Sequence, residues 1–359
     1  MPIKREMMVR RDALTQVAVN ETLAPEPGEG EMRLASESFS VTANNVTYAV
    51  VGDGFKYWDF FPAPEGLGIV PMWGHARVIE SRYPDIAVGE RVYGFLPMAS
   101  HLIVQPGKIS AGLFRDMAAH RQPMSAVYNQ YRRLQADPAH DAAREDLRML
   151  FEPLFLTSFL IEDTLRRAGW YGTDTVVLTS ASSKTALGTA YVLREGSPQI
   201  RRIGLTSAAH VGFVEKTGLY DAVLAYDAID GLGSLAEAVL IDFAGNAALL
   251  QAAYAALPDR VAQCLRVGVT HHDAGGETAL LPDPKPVWFF APNAATALIG
   301  EIGQEGFNAA VAAQWSGFVA VAAGLVHVEH GQGVEALQRI WRTQVAGQAA
   351  PDTGFVVRL

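Results

Sequence analysis

The sequence predicts an α/β protein of two domains, a small antiparallel β-barrel followed by a doubly wound parallel sheet. Three observations predict it. Residues 12–112 carry short apolar strands punctuated by Gly and Pro, the texture of a small antiparallel barrel. From residue 151 onward, short strands alternate with Ala- and Leu-rich helices, which is how a parallel sheet covered on both faces reads. The length of 359 residues fits about two domains.

Taken in order, 12–18, 31–41, 68–80, 91–95 and 101–104 read as the barrel strands. Residues 113–150 are polar, with Arg132-Arg133, Asp137-Pro138 and Arg144-Glu145-Asp146, and read as a helical insertion. The later strands are 175–179, 200–206, 222–225, 238–242, 265–270 and 287–291. The tail returns to strand, helix (334–345) and strand (354–359). The expected divisions are 1–150, 151–314 and a returning segment 315–359.

Composition excludes several functions. The net charge of −9 argues against a general nucleic-acid binder. No continuous apolar run of about 18 residues is present, so no membrane span is expected. The basic N-terminus lacks the apolar core of a signal peptide, and a cytoplasmic protein is expected. The single cysteine, Cys264, rules out an intrachain disulfide and a four-cysteine zinc site, and it reads as a buried, inert thiol.

The chemistry-bearing segment is strand 175–179, turn Ser180-Ala181-Ser182-Ser183-Lys184-Thr185, helix 186–195 and strand 200–206, half of a nucleotide-binding βαβ unit. A helix N-terminus offers free N–H groups and a positive dipole end to a pyrophosphate. Here Ser180, Ser182, Ser183 and Thr185 add hydroxyl donors and Lys184 a point charge, where dinucleotide folds usually have glycines. Ser-Lys-Thr also looks like part of a phosphate loop, but the glycines of that motif are absent and a barrel-first order does not suit an ATPase. The second strand ends in Thr206-Ser207, without the acid that grips a ribose 2′-hydroxyl, which favours NADPH over NADH. Asp242-Phe243 and Thr270 sit at the carboxyl ends of later strands, where ligands lie in open α/β sheets.

Several dispersed segments, in order, resemble the zinc-independent quinone and enoyl reductase branch of the medium-chain dehydrogenase/reductase superfamily. They are Ser40-Val-Thr-Ala-Asn-Asn-Val-Thr-Tyr, Ile69-Val-Pro-Met-Trp-Gly-His-Ala-Arg-Val, Val88-Gly-Glu-Arg-Val, Leu156-Thr157, Gly333-Val-Glu-Ala-Leu and Gly354-Phe-Val-Val-Arg-Leu. The Ser-Ala-Ser-Ser-Lys-Thr loop resembles that of a divergent bacterial group, the DUF2855 family. The resemblance implies a GroES-like catalytic domain and a Rossmann-like NADP-binding domain. It places His210, with Lys216 on the same helix, near a 2′-phosphate ligand. It also implies that Phe289-Phe290 pass the nicotinamide in a strand that pairs two subunits of a homodimer. Tyr226 could face the adenine ribose or pack as a core aromatic.

Hydride donation to a conjugated carbonyl builds negative charge on oxygen, which a metal or hydrogen-bond donors must stabilise. The barrel half contains no cysteine, and His75 and His101 are far apart, so no metal is expected. Tyr48 is the expected donor, with a reference pKa of about 10, beside a neutral amide from Asn44 or Asn45; Thr157 could contact nicotinamide or substrate. The aromatic-dense segment 52–62 suggests an apolar pocket lined by Tyr57, Trp58 and, from neighbouring strands, Trp73, Met98 and His101. The expected function is NADPH-dependent, metal-independent reduction of an α,β-unsaturated carbonyl, quinone or related small carbonyl. A ketone or alcohol oxidoreductase and a non-catalytic NADPH-binding protein are the alternatives.

Overall fold

The structure is a computed structural model and describes residues 2–268 and 281–359. It divides into two compact units: residues 1–150 with 327–349 and 353–359, and residues 151–326 with 350–352.

The first unit holds β1 (Ile3–Arg10), β2 (Ala13–Leu23), β3 (Met32–Val41), helix α1 (Ala43–Val50), β4 (Leu67–Gly68), β5 (Pro71–Ser81), β6 (Arg91–Pro97), β7 (His101–Val104), β8 (Pro106–Gly107), β9 (Leu113–Asp116) and β10 (Gln130–Arg133). The first turns of α2 (Glu145–Arg167) close this part of the chain, and the rest of that helix opens the second unit. A three-stranded sheet runs β2-β1-β4, and a nine-stranded sheet is built on β3, β5 and β6. The period-two alternation of β5 and β6 sets Trp73 opposite Phe95 and His75 opposite Tyr93, all four on one face. Phe39, Val41, Met72 and Phe95, all in these strands, are fully buried.

One reading of this unit is corrected, and one strand was missed. Residues 113–150 do not form a helical insertion: β9 and β10 extend the large sheet beside β6, joined by short 3₁₀ turns, and α2 starts only at Glu145. Polar composition concealed these strands because their outward residues are Arg115, Gln130 and Arg132, while Phe114 and Tyr131 are fully buried. Strand β1 was also hidden. Its first residues are charged, and only Met7, Met8 and Val9 form a buried run.

The second unit continues with β11 (Thr175–Leu178), α3 (Lys184–Gly196), β12 (Arg201–Thr206), α4 (Val211–Lys216), β13 (Ala222–Ala225), β14 (Ala238–Asp242), α5 (Ala247–Ala256), β15 (Val261–Arg266), β16 (Val287–Trp288) and α6 (Ala291–Leu325). Its six strands are all parallel, in the order β13-β12-β11-β14-β15-β16, so the order reverses at β11. That reversal is where a doubly wound sheet opens a crevice for ligands. The strand read at 265–270 is β15, four residues earlier, and Cys264 lies inside it, fully buried, its thiol pushed up to about 12 by burial. Thr270 lies outside the described residues.

Helix α6 runs past the expected return point at 315, and the chain re-enters the first unit at His327 as β17 (His327–Gln332), α7 (Gly333–Val345) and β18 (Thr353–Arg358). In length and composition α6 is the one described helix that could cross a membrane, although no unbroken apolar run is visible in the sequence. Gly303, at φ 72°, interrupts its helical backbone, and Phe307, Phe318, Val319 and Ala322 are buried. The returning α7 buries Leu337, Ile340 and Trp341 in the same core as β1 and β3, and the Trp341 indole donates to the Leu14 carbonyl at 2.7 Å.

Candidate functional site

In the second unit the polar loop folds as a set of hydroxyl-bearing turns. Ser183 caps α3, its Oγ accepting from the Ala186 N–H at 3.3 Å. Ser180 sits at φ 50°, a left-handed conformation that Ser adopts only when its surroundings hold it there. One of those surroundings is Tyr226, whose phenol hydrogen-bonds Ser180. From the end of β12, Thr206 Oγ1 donates to Ser182 Oγ at 3.4 Å, and Ser182 Oγ lies 3.0 Å from His210 Nδ1. Tyr220 donates to the Ala181 carbonyl at 2.8 Å. The loop, the end of β12 and the start of α4 therefore form one hydrogen-bonded cluster without a carboxylate in it.

Lys184 is the first residue of α3. Its ammonium lies 6.0 Å from the Phe151 ring centroid, on the side of the loop that faces α2. Burial lowers its pKa to about 8, and the Asp352 carboxylate partly offsets that shift. The loop thus has two ends, Ser182 with His210 on one side and Lys184 on the other. Lys216 is exposed in the last turn of α4; the basic residue that reaches the loop is His210.

The linking helix touches the loop through Ser158. Ser158 is fully buried and its Oγ reaches the Thr185 carbonyl at 2.8 Å, whereas Thr157, one residue earlier, is partly exposed. Ser158 also explains Gly188: a Cβ there would lie 2.7 Å from Ser158 Oγ, so the close approach is between two helices. Gly188→Ala is expected to lower the melting temperature. Overpacking costs about 1–3 kcal/mol, and improved helix propensity returns only about 1 kcal/mol. An unchanged melt would mean that Ser158 swings aside at no cost.

Asp242 has a turn-locking role. Its Oδ1 accepts from Thr179 Oγ1 at 2.8 Å and from the backbone N–H groups of Ala244 and Gly245 at 3.1 and 3.2 Å. Burial raises its pKa. Phe243 is buried, its N–H bonded to Thr179 Oγ1. The expected strand around Phe289-Phe290 shrinks to Val287–Trp288; Phe289 packs beside Phe159 and Leu298, and Phe290 precedes α6. Val287 and Trp288 are both exposed, with the Arg266 guanidinium 4.8 Å over the Trp288 ring.

In the first unit, α1 is set by a capping box in which Thr42 and Asn45 bond reciprocally. The Asn45 amide is fully engaged: its Oδ1 accepts from the Thr42 N–H at 2.7 Å and its Nδ2 donates to the Pro71 carbonyl at 2.9 Å. That assigns Asn45 to the fold, and its neighbour Asn44 is the amide at Tyr48. Tyr48 lies one turn on, 6% exposed, and its hydroxyl receives the Trp73 indole N–H at 3.2 Å and a hydrogen bond from Asn44. An indole nitrogen only donates, so the Tyr48 oxygen is the acceptor and its own O–H is left to donate elsewhere. Burial, with Tyr128 nearby, drives its pKa far above the ordinary phenol value, so it remains protonated.

Around that hydroxyl stands an aromatic box. Tyr48 lies 4.4 Å from Tyr57 between ring centroids, and Phe60, Trp73, Phe95 and Tyr128 complete the walls. Tyr128 comes from the segment misread as a helical insertion, so sequence reasoning missed it. The other expected pocket residues diverge. Trp58 is held between Gly52 and Gly68, where an added Cβ would come within 2.2 and 2.3 Å of its ring. Met98 is wholly buried core. His101 sits beside Ser100, 2.9 Å from its hydroxyl, with Arg33 and Lys4 nearby and not in the box. His75 is fully buried 5.1 Å from Tyr93, and burial brings its pKa down to about 3, leaving it neutral. Among the described residues no three His, Cys, Asp or Glu side chains gather as a metal site.

Comparison with known proteins agrees with this architecture. Residues 39–350 match a family model described as protein of unknown function, DUF2855. A sequence search of curated proteins finds no match. CurA from Vibrio vulnificus is 14% identical over 99% of this chain and 98% of its own, with a TM-score of 0.63; its complex with NADPH gives 16%, the same coverage and 0.62. TarJ of S. aureus in complex with NADPH is 11% identical over 99% of each chain, with a TM-score of 0.58. At these identities the likeness is one of fold.

Proposed function

We propose that this chain, which belongs to the DUF2855 family, is an NADPH-dependent, metal-independent reductase of an α,β-unsaturated carbonyl, quinone or related small carbonyl. The observation that carries the reading is the Tyr48 hydroxyl, supported by Trp73 and Asn44 inside a buried aromatic box. Two donors on the phenol oxygen make its O–H a stronger donor to an oxygen gathering negative charge, in surroundings where such a bond counts for more than in water. The box suits a flat, apolar substrate with one polar atom to present.

The residues of the second unit fit a phosphorylated dinucleotide. The capped N-terminus of α3 and the hydroxyls of Ser180, Ser182 and Ser183 suit a pyrophosphate, with Tyr226 beside them. At the end of β12, Thr206 and Ser182 with His210 supply donors and no acid, which suits a 2′-phosphate. Lys184 adds positive charge on the other side of the loop. Reduced nicotinamide, once bound, supplies hydride; Tyr48 donates to the substrate oxygen and Asn44 and Trp73 hold the phenol. CurA and TarJ have both been solved with NADPH, which supports the choice of cofactor. A cytoplasmic homodimer belongs to the same reading.

NADPH is expected to bind about ten- to a hundredfold more tightly than NADH, the range of one or two charge-assisted hydrogen bonds to the extra phosphate. Fluorescence titration with both nucleotides tests this, followed by NADPH oxidation with a panel of enones, quinones and aldehydes. Equal affinity for both would remove the 2′-phosphate assignment, and no binding of either would end the reading. One observation favours a non-catalytic NADPH-binding protein: the loop has no glycine, and its lysine leans toward Phe151. Tight binding without oxidation of NADPH by any compound in the panel would select that alternative.

A further inference from the structure

We propose that Tyr220 is a positioning residue for NADPH, whose phenol keeps the phosphate loop in its binding shape by fixing Ser180 in the left-handed conformation. This role rests on the cofactor reading and adds to it the device that shapes the loop. The chain changes partner at the end of β11. Successive N–H groups of a strand point to opposite neighbours. The Thr179 N–H donates to the Ile241 carbonyl of β14 at 3.0 Å, so the next N–H, that of Ser180, would meet β12 if the strand ran on. The Ala181 N–H takes that place instead, donating to the Leu205 carbonyl of β12 at 2.9 Å. Ser180 is the extra residue between these two anchors, and its φ of 50° makes the turn. Serine disfavours that region and glycine does not. The turn therefore depends on what grips the chain on either side of Ser180.

Both sides are gripped. Thr179 is fully buried; its hydroxyl donates to Asp242 Oδ1 at 2.8 Å and accepts from the Phe243 N–H at 2.9 Å. On the other side the Tyr220 phenol donates to the Ala181 carbonyl at 2.8 Å. The Ser180 carbonyl accepts from the Ser183 N–H at 2.7 Å, and the Tyr226 phenol takes the Ser180 N–H. Every backbone polar group of Ser180 and Ala181 is thus bonded within the protein. That leaves their backbone to aim the loop, and leaves the hydroxyls and the first turn of α3 to bind. Gly204 of β12 makes room for the Tyr220 ring: a Cβ there would lie 2.9 Å from the Ala181 Cβ and 3.0 Å from that ring. Because the Tyr220 O–H already has its acceptor in the loop, its effect on the nucleotide is exerted through Ala181 and Ser180. A loop held in its binding shape beforehand spares association the cost of ordering it.

The test is a double-mutant cycle read by fluorescence titration with NADPH. Tyr220→Phe keeps the ring against Gly204 and removes the hydrogen bond. It is expected to lower NADPH affinity about tenfold, the scale of one buried carbonyl left without its donor. In the Ser180→Gly background the same Tyr220→Phe change is expected to lower affinity by less than about threefold, because glycine enters the left-handed region without help. Equal losses in both backgrounds overturn the positioning role, since a direct contact with the nucleotide or a general loosening would act alike in each. No loss in either background overturns it as well. If Tyr220→Phe does not fold, a second pair tests the left-handed turn itself. Ser180→Gly and Ser180→Val both lack the serine hydroxyl and differ in their access to that region. Ser180→Val is expected to bind NADPH about tenfold or more weakly than Ser180→Gly, the scale of the left-handed penalty on one residue, and equal affinities overturn the proposal. A parent that binds NADPH while the cycle fails leaves the cofactor reading intact; a parent that binds none overturns both.

Discussion

Tyr48→Phe is expected to lower kcat by about a hundred- to a thousandfold, the loss seen when one donor to a developing oxyanion is removed. The substitution keeps the ring and its 4.4 Å contact with Tyr57, so the box retains its shape and KM is expected to change little. NADPH affinity is expected to be unchanged, because every residue assigned to the nucleotide is in the other unit. Stability falls modestly. The Trp73 indole loses its acceptor, and an unmatched N–H costs about 1–3 kcal/mol when buried, less at a residue that is partly exposed. The pH profile gives a second readout. With the phenol pKa raised far above its ordinary value by burial, Tyr48 is protonated from pH 6 to 9 and contributes no fall in kcat across that range. Turnover by Tyr48→Phe within about threefold of the parent, an effect too small for a lost oxyanion donor, would show that the charge is stabilised elsewhere and would remove the central residue of the proposed function.

The fold was legible wherever a strand had the ordinary alternation or an element an unambiguous cap. Strands β7, β13 and β14 fall where the sequence puts them, because each is a short apolar run bounded by turn residues. The loop 180–185 was legible because a strand, a cluster of hydroxyl residues and a helix follow in immediate succession. What stayed hidden has physical causes. In β9 and β10 an arginine or glutamine alternates with a buried aromatic, so average polarity outweighs the pattern that carries the information. Tyr128 stayed hidden with them, since a residue in a 3₁₀ turn has no periodicity to reveal which way it faces.

Within the site, neighbouring positions proved hardest to separate. Asn44 and Asn45 are the same residue type, and only the capping geometry of α1 decides that Asn45 serves the helix while Asn44, four residues before Tyr48, stacks over its hydroxyl side. On α2 the loop contact is made by Ser158, next to the Thr157 expected to meet nicotinamide or substrate. A one-residue step on a helix rotates a side chain by about 100°, more than a dispersed sequence resemblance can resolve. Trp58 fails for a different reason. Two glycines sixteen residues apart, Gly52 and Gly68, create the slot that takes its ring, and that pairing exists only once the chain has folded.

Lys184→Met is expected to weaken NADPH binding by about ten- to a hundredfold, the range for one charge-assisted hydrogen bond to a phosphate. The pH dependence of the parent provides the sharper test. Burial holds the free Lys184 pKa near 8. A phosphate oxygen close to the ammonium favours the charged form, so the pKa in the complex lies higher than in the free protein. Above pH 8 binding must therefore take up a proton, and affinity falls as pH rises, by up to about tenfold per unit until the pKa of the complex is reached. Below pH 7 both states are protonated and this contribution to affinity is flat. Met keeps much of the apolar stem against Phe151 but cannot titrate, so in Lys184→Met the alkaline loss disappears together with the affinity. The Asp352 carboxylate already pulls the lysine pKa upward, and a bound phosphate adds to that pull with the same sign. NADPH affinity in the parent that is constant from pH 7 to 10, with Lys184→Met equal to it throughout, would show that the ammonium belongs to the Phe151 side of α3 alone. Phosphate recognition would then fall to Ser182 and His210, which are bonded at 3.0 Å.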